Sequence, residues 1–409
     1  MRILMLSWEY PPHIVGGLGQ HVADLAPALA AHGVDVHVVT PLWKTLDDFV
    51  DSPGLTVHRV PIDMRDGDIM DQALRVNQRL ELAARQVIEG QPAFDLIHAH
   101  DWLVSFAGIA LKQAFRLPLL ATVHATEFGR SQGRLDSPLS RAINEQEWRL
   151  VFEAWRVIVC SNFMATELIG SLGVPPDKVD VIPNGVRADR FRSLKGIDHS
   201  LLRARFALPY EKIVFNVGRM VREKGLHVLV EAMPTVLAQA PDAKLVVAGK
   251  PDSWGYWSSA RARAEELGLD AKCYFAGFLP DDDRDSLLTL ADVAVFPSLY
   301  EPFGIVAPEA MAAGAPVVAS SAGGLAEVVI HRLTGLTAYP DSPASLAWAI
   351  VETLRNPVEA QARARSAYRR VVREYDWGRI AAATHDVYVQ VVAERKAGDG
   401  HMSAGTVNA

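Results

Sequence analysis

Two glutamates, Glu301 and Glu309, frame the segment Tyr300-Glu-Pro-Phe-Gly-Ile-Val-Ala-Pro-Glu309. Glu301 follows an apolar run, 293–296, that reads as a strand. Glu309 falls in the first turn of a short helix, which Pro308 suits at its start and Gly314 at its end. An acid past the carboxyl end of a strand, with another at a helix N-terminus, is a ligand-site arrangement in α/β proteins. The apolar Gly304, Ile305 and Val306 between them let the backbone approach a ligand closely. Helix-dipole complementarity, worth roughly 0.3–1 kcal/mol, accounts for Glu309 but not for Glu301.

Cations lie upstream. Arg219 and Lys224 occupy the stretch Gly218-Arg-Met-Val-Arg-Glu-Lys-Gly225, after the strand-like run 213–217. Two cations on a loop entering a helix can hold a diphosphate and neutralise a phosphate leaving group. A solvated basic loop is the plainer reading, and the bracketing glycines count against it. Ser320-Ser-Ala-Gly-Gly324 offers a second turn whose amides suit phosphate oxygens.

The first half carries further polar residues at strand ends. Gly16-Gly17-Leu18-Gly19 opens a helix after the run 3–6. It lacks the G-x-G-x-x-G of dinucleotide binding, because position 22 is Val. His98-Ala-His100-Asp101-Trp102 ends another strand, and His124 ends the next. His98 and His100 would share a strand face, yet no third ligand stands at metal-site spacing, so cleft lining is expected and metal is not.

These residues need a scaffold of strands ending together. Short apolar runs at 3–6, 36–40, 96–99, 119–123, 157–160 and 179–182 alternate with helix-like segments. A second series at 213–217, 245–248, 274–276, 293–296 and 317–319 follows the irregular stretch 183–200. Continuous apolar runs suit strands buried on both faces of a parallel sheet. The expected architecture is α/β, with two Rossmann-like doubly wound domains facing each other across a cleft. The boundaries are 1–185, 186–376, a last helix at 377–395 crossing back to the first domain, and a disordered tail at 396–409.

Composition narrows the class. The chain has 409 residues, 49% hydrophobic and 22% charged, with a net charge of −7. That excludes a nucleic-acid partner of the basic-patch kind. No apolar run approaches the ~20 residues of a membrane span. Cys160 and Cys273 lie far apart in apolar runs, which reads as buried free thiols in a reducing cytoplasm. The sequence leaves the oligomeric state open.

Taken together, Glu301 and Glu309, Arg219 and Lys224, His124 and the Gly16-Gly17 loop resemble the retaining glycosyltransferases of family 4 with the GT-B fold, over nearly the whole chain. Trp8-Glu-Tyr-Pro-Pro12 and His98-Ala-His-Asp-Trp102 are similar to the glycogen synthase-like, bacterial α-glucan synthase branch. Longer bacterial glycogen synthases carry Lys two residues before the paired glycines, where this chain has Ile14.

The resemblance implies roles. Glu309 would bind ribose hydroxyls, and Arg219 and Lys224 the diphosphate. Glu301, with the Phe303-Gly304-Ile305 backbone, would hold sugar hydroxyls. His124 would contact the donor sugar near the reacting carbon. Gly16 and Gly17 would present backbone to phosphate or sugar, and His100 and Asp101 would line the sugar or acceptor side. The implied reaction moves a hexose, glucose by preference, from an ADP- or UDP-sugar to a glucan or oligosaccharide, with no metal and no cofactor. Rivals are a trehalose- or sucrose-type transferase, an NAD-dependent oxidoreductase, and a nonenzymatic nucleotide-sugar or glucan-binding protein.

Overall fold

The computed structural model describes residues 1–43, 53–62, 67–194, 196–250 and 255–405. The chain divides into two compact units, Met1–Gly185 with Trp377–Ala409, and Val186–Asp376.

In the first unit, strands β1 (Arg2–Leu6), β2 (Asp35–Leu42), β3 (Leu55–Pro61), β4 (Leu96–His100), β5 (Leu119–Val123), β6 (Arg156–Val159) and β7 (Val179–Val181) form one sheet. Its order is β3-β2-β1-β4-β5-β6-β7, and every pairing is parallel. β4 and β5 are buried at every residue, as their unbroken apolar and polar-capped runs require in a sheet covered on both faces. The core joins Ile3, Met5, Leu25 and Leu29 to Trp377, Ile380, Tyr388 and Val391 of the last helix. That helix therefore completes the first unit although the second unit intervenes in sequence.

In the second unit, β8 (Lys212–Val217), β9 (Ala243–Ala248), β10 (Cys273–Gly277), β11 (Val293–Phe296), β12 (Val317–Ser320) and β13 (Leu336–Ala338) form another parallel sheet, ordered β10-β9-β8-β11-β12-β13. Its core packs Val214, Leu245, Val247, Val293 and Val295 against the helices Leu226–Gln239 and Pro343–Arg355.

In each sheet the strand order reverses once beside the first strand, between β1 and β4 and between β8 and β11. Crossovers leave on opposite sides there, so loops part and backbone amides are exposed at the strand ends, the usual place for a ligand in an open α/β sheet.

One expectation differs. The sequence reading stops helix near 394 and disorders the tail, whereas the last helix runs Trp377–Gly405. The physical reason is that a helix already anchored by packing extends without a new nucleation cost, and Lys396, Ala397, Met402 and Ala404 are good helix formers. Residues 406–409 lie outside the described residues. Cys160 and Cys273 are buried, and neither forms a disulfide. Among the described residues, no helix is long and apolar enough to cross a membrane.

Candidate active site

The reversal point of the second unit gathers the predicted donor residues. Arg219 leaves β8, and Arg222–Lys224 form one 3-10 turn before Gly225. Gly225 has φ +70°, and a Cβ there would lie 1.9 Å from the Pro297 carbonyl oxygen. Only glycine lets this loop press against the end of β11. The Glu223 carbonyl then accepts from Leu299 N at 2.7 Å.

Docking the loops this way brings Lys224 Nζ to 2.5 Å from Glu301 Oε2, and Ser298 Oγ donates to the same oxygen at 3.1 Å. Gly324 N, from the serine-glycine turn after β12, donates to the Glu301 carbonyl at 2.9 Å. Glu301 is buried, and Lys224 and Ser298 are partners of its carboxylate. An ammonium has three donors, and Glu301 takes one, leaving others for a phosphate. Arg219 is exposed.

Glu309 stands in the first turn of the helix Val306–Ala313, which ends on Gly314 at φ +86°. It is also buried, and Arg190 bridges it to Asp285, with Nη2 at 3.3 Å from Glu309 Oε1 and Nε at 2.6 Å from Asp285 Oδ2. Arg190 and Asp285 are absent from the sequence reading. Their signal, a lone arginine and one aspartate among several, is invisible without the fold. The Phe303 ring is buried edge-on against Tyr375, with centroids 5.5 Å apart, so its side chain serves the core. Gly304, at φ +83°, follows it, and Ile305 caps the helix.

The first unit's reversal point holds the remaining residues. The helix Gly17–Ala31 begins at the glycine loop. Here the structure revises the expectation. Glu9 Oε2 accepts from Val15 N at 2.8 Å and Gly16 N at 3.1 Å, so these amides already hold a carboxylate. A Cβ on Gly19 would lie 2.5 Å from that same oxygen, which explains the third glycine as room for Glu9 rather than for a ligand. Trp254 of an aromatic group near 254–257 lies outside the described residues. Tyr256 and Trp257 are engaged with His227 and Phe275.

Around β4 and β5, parallel register sets His98 opposite Leu120 and His100 opposite Thr122. His98 is consumed by structure, with Nδ1 at 2.8 Å from the Tyr388 hydroxyl and Nε2 at 2.7 Å from Thr122 Oγ1. His100 Nδ1 lies 3.2 Å from His124 Nε2, and Asp101 Oδ1 accepts from His124 N at 2.7 Å. Burial pushes the Asp101 carboxyl up to about 6, while its backbone donors and Arg130 pull it down. Burial holds His124 down at about 3, so it is a neutral dipole at physiological pH. Beneath this loop, both oxygens of Glu147 accept from Glu127 N, and burial lifts Glu147 to about 8.

A third histidine joins them. His21, from the first helix, stacks edge-on to His124 with centroids 4.7 Å apart. The sequence reading finds no third nitrogen near His100. Strand register and the helix after β1 supply it from positions that spacing along the chain cannot connect.

The comparisons fall on the same halves. Residues 15–190 match the family described as Glycosyltransferase Family 4, and residues 201–371 match Glycosyl transferases group 1. The glycogen synthase of Mycobacterium tuberculosis is 37% identical over 95% of this chain and 94% of its own length. The chain belongs to glycosyltransferase family 4. An uncharacterized glycosyltransferase of Methanocaldococcus jannaschii is also 37% identical, over 95% of this chain and 98% of its own. Sucrose-phosphate synthase from Thermosynechococcus elongatus superposes with TM-score 0.80 at 28% identity, over 96% of this chain and 99% of that one. This family 4 glycosyltransferase thus has the two-domain α/β GT-B fold.

Proposed function

We propose that this glycosyltransferase is a retaining hexosyltransferase that moves glucose from ADP- or UDP-glucose to an α-glucan or oligosaccharide, in the manner of a glycogen synthase. The observation that carries the reading is the Lys224–Glu301 pair, 2.5 Å apart at the strand-order reversal, with Arg219 on the same loop after β8 as Lys224. Cleaving an anomeric carbon–phosphate bond places negative charge on the departing diphosphate. Arg219 and Lys224 neutralise that charge without a metal, and preorganised cations in a dry site do so most effectively. As phosphate draws Lys224 over, Glu301 keeps its place through Ser298 and accepts from sugar hydroxyls. Glu309 accepts from the ribose hydroxyls.

His124, held neutral by burial and fixed at its backbone by Asp101, offers a dipole to the sugar as positive charge develops at the anomeric carbon. No carboxylate is assigned as nucleophile. The leaving phosphate oxygen takes the acceptor hydroxyl proton, and the new bond forms on the face the phosphate leaves. The glycogen synthase likeness at 37% identity supports a glucan acceptor. The sucrose-phosphate synthase likeness favours a small phosphorylated or free sugar as the second reading.

The test is a donor panel of ADP-, UDP- and GDP-glucose against glycogen, maltooligosaccharides and small sugars, with the anomer of the product read by NMR. Transfer to glycogen with an α product is the expected result. Transfer only to small sugars supports the second reading, and a β product overturns retention. Activity is expected to persist in EDTA, and a magnesium-reversible loss overturns the metal-free mechanism.

A further inference from the structure

The histidines around β4 have more nitrogen than the transfer reaction uses. His21, His100 and His124 each bring one ring nitrogen to within 4.8 Å of the others. His21 Nδ1 lies 2.7 Å from Asn184 Oδ1, which only accepts, so the proton sits on Nδ1 and Nε2 carries a bare lone pair. That Nε2 is buried with no hydrogen-bond partner among the described residues, and so is Nε2 of His100. An orphaned buried polar atom is costly, at about 1–3 kcal/mol. Nothing in the proposed transfer explains why His21 is there.

We propose that His21, His100 and His124 form a divalent transition-metal site that takes zinc, with Asn184 orienting His21. Neutral imidazoles are the ligating form, and nitrogen donors suit zinc, cobalt and copper. A tetrahedral zinc with bonds of about 2.0–2.1 Å needs its nitrogens about 3.3 Å apart, so the nitrogens close by up to about 1.5 Å. Three protein ligands leave the fourth position for water or a hydroxyl. The hydrogen bond from His21 Nδ1 to Asn184 is the outer contact that ligating histidines ordinarily make, and losing such contacts costs 10–100-fold in affinity.

The site has a consequence for activity that rests on the proposed function. A metal on His124 withdraws the dipole from the donor sugar, so zinc inhibits transfer instead of assisting it.

The experiment titrates Co²⁺ into the tag-free full-length protein and reads both binding heat and the visible d–d bands of the ion. One Co²⁺ per chain, with the intense bands of a four-coordinate site displaced by Zn²⁺, is expected. His21→Gln and His100→Gln should each weaken binding by at least about 100-fold, and Asn184→Ala by about 10–100-fold. Asn184→Ala keeps the test alive if a histidine variant fails to fold. His37→Gln removes a separate pair, His37 Nδ1 to His58 Nε2 at 3.0 Å, and should change nothing. No band at millimolar Co²⁺, or affinity unchanged in His21→Gln, His100→Gln and Asn184→Ala, overturns the proposal. So does a loss confined to His37→Gln. Zinc inhibition that His21→Gln relieves is the activity arm. The absorption arm stands whether or not the acceptor reading is correct.

Discussion

At the scale of single residues, Lys224 and Glu301 depend on each other. Lys224→Ala removes a cation proposed to face the leaving group and leaves buried Glu301 with the Ser298 hydroxyl as a donor to its carboxylate. Loss of one preorganised charge contact should lower kcat by about 100- to 1,000-fold, and UDP or ADP binding should weaken as well. Steady-state kinetics with a parallel nucleotide titration check this, and unchanged kcat removes Lys224 from the chemistry. Glu309→Ala acts differently. It leaves the diphosphate cations in place but frees Arg190 from one of its two carboxylates, so KM for the donor should rise more than kcat falls. The pattern of acids and cations was legible in the sequence because motif residues sit beside glycines and strand ends. Arg190, Asp285, Ser298, Glu9 and His21 were not, since each reaches its partner through the fold and carries no local signature.

At the scale of elements, β4 and β5 bury imidazoles side by side, and this fixes how stability varies with pH. His21, His98 and His100 are held well below 6.5 and His124 at about 3. The unfolded chain protonates all four near 6.5, so their contribution is intact above that value and is lost as pH falls below it. Asp101, raised to about 6, and Glu147, raised to about 8, run the other way. The folded state takes their protons first, so they return stability as pH falls from about 8 toward about 4. The four imidazoles outnumber the two carboxyls, so the net effect is a loss of stability as pH falls below about 6.5. Denaturant melts between about pH 6.5 and 4.5 should show the acid loss, and His98→Gln should make its slope shallower. An unchanged slope means that His98 titrates normally. The interior strands were readable as apolar runs, whereas β3 and β13 were missed. β3 lies at a sheet edge, where Thr56, His58 and Arg59 break the apolar run, and β13 has three residues.

At the scale of the molecule, the first unit is assembled from two stretches of chain. Gly185 ends the first stretch and Trp377 begins the second, and a Cβ on Gly185 would lie 2.4 Å from the Trp377 ring. On the other side of the same boundary, Val186 N donates to the Tyr375 carbonyl at 2.7 Å. Beyond it Trp377, Ile380, Tyr388 and Val391 complete the core on β1, and Tyr388 supplies the partner of His98 Nδ1. A chain ended after Asp376 loses these side chains at once. At about 1.5–3 kcal/mol for each large one, the loss is on the order of 10 kcal/mol, as much as a whole domain's stability. The first unit should then fail to fold, as seen by a lost far-UV transition and rapid proteolysis within 1–185. Ending the chain after Ala397 removes none of the core residues named above and should leave the melting temperature unchanged. Tyr388→Phe separates packing from hydrogen bonding. It keeps the ring in the core but strands a buried His98 nitrogen, for an expected loss of about 1–3 kcal/mol in denaturant melts. A Tyr388→Phe protein as stable as the parent would mean that the last helix holds the first unit by apolar contact alone, and that His98 finds its proton elsewhere.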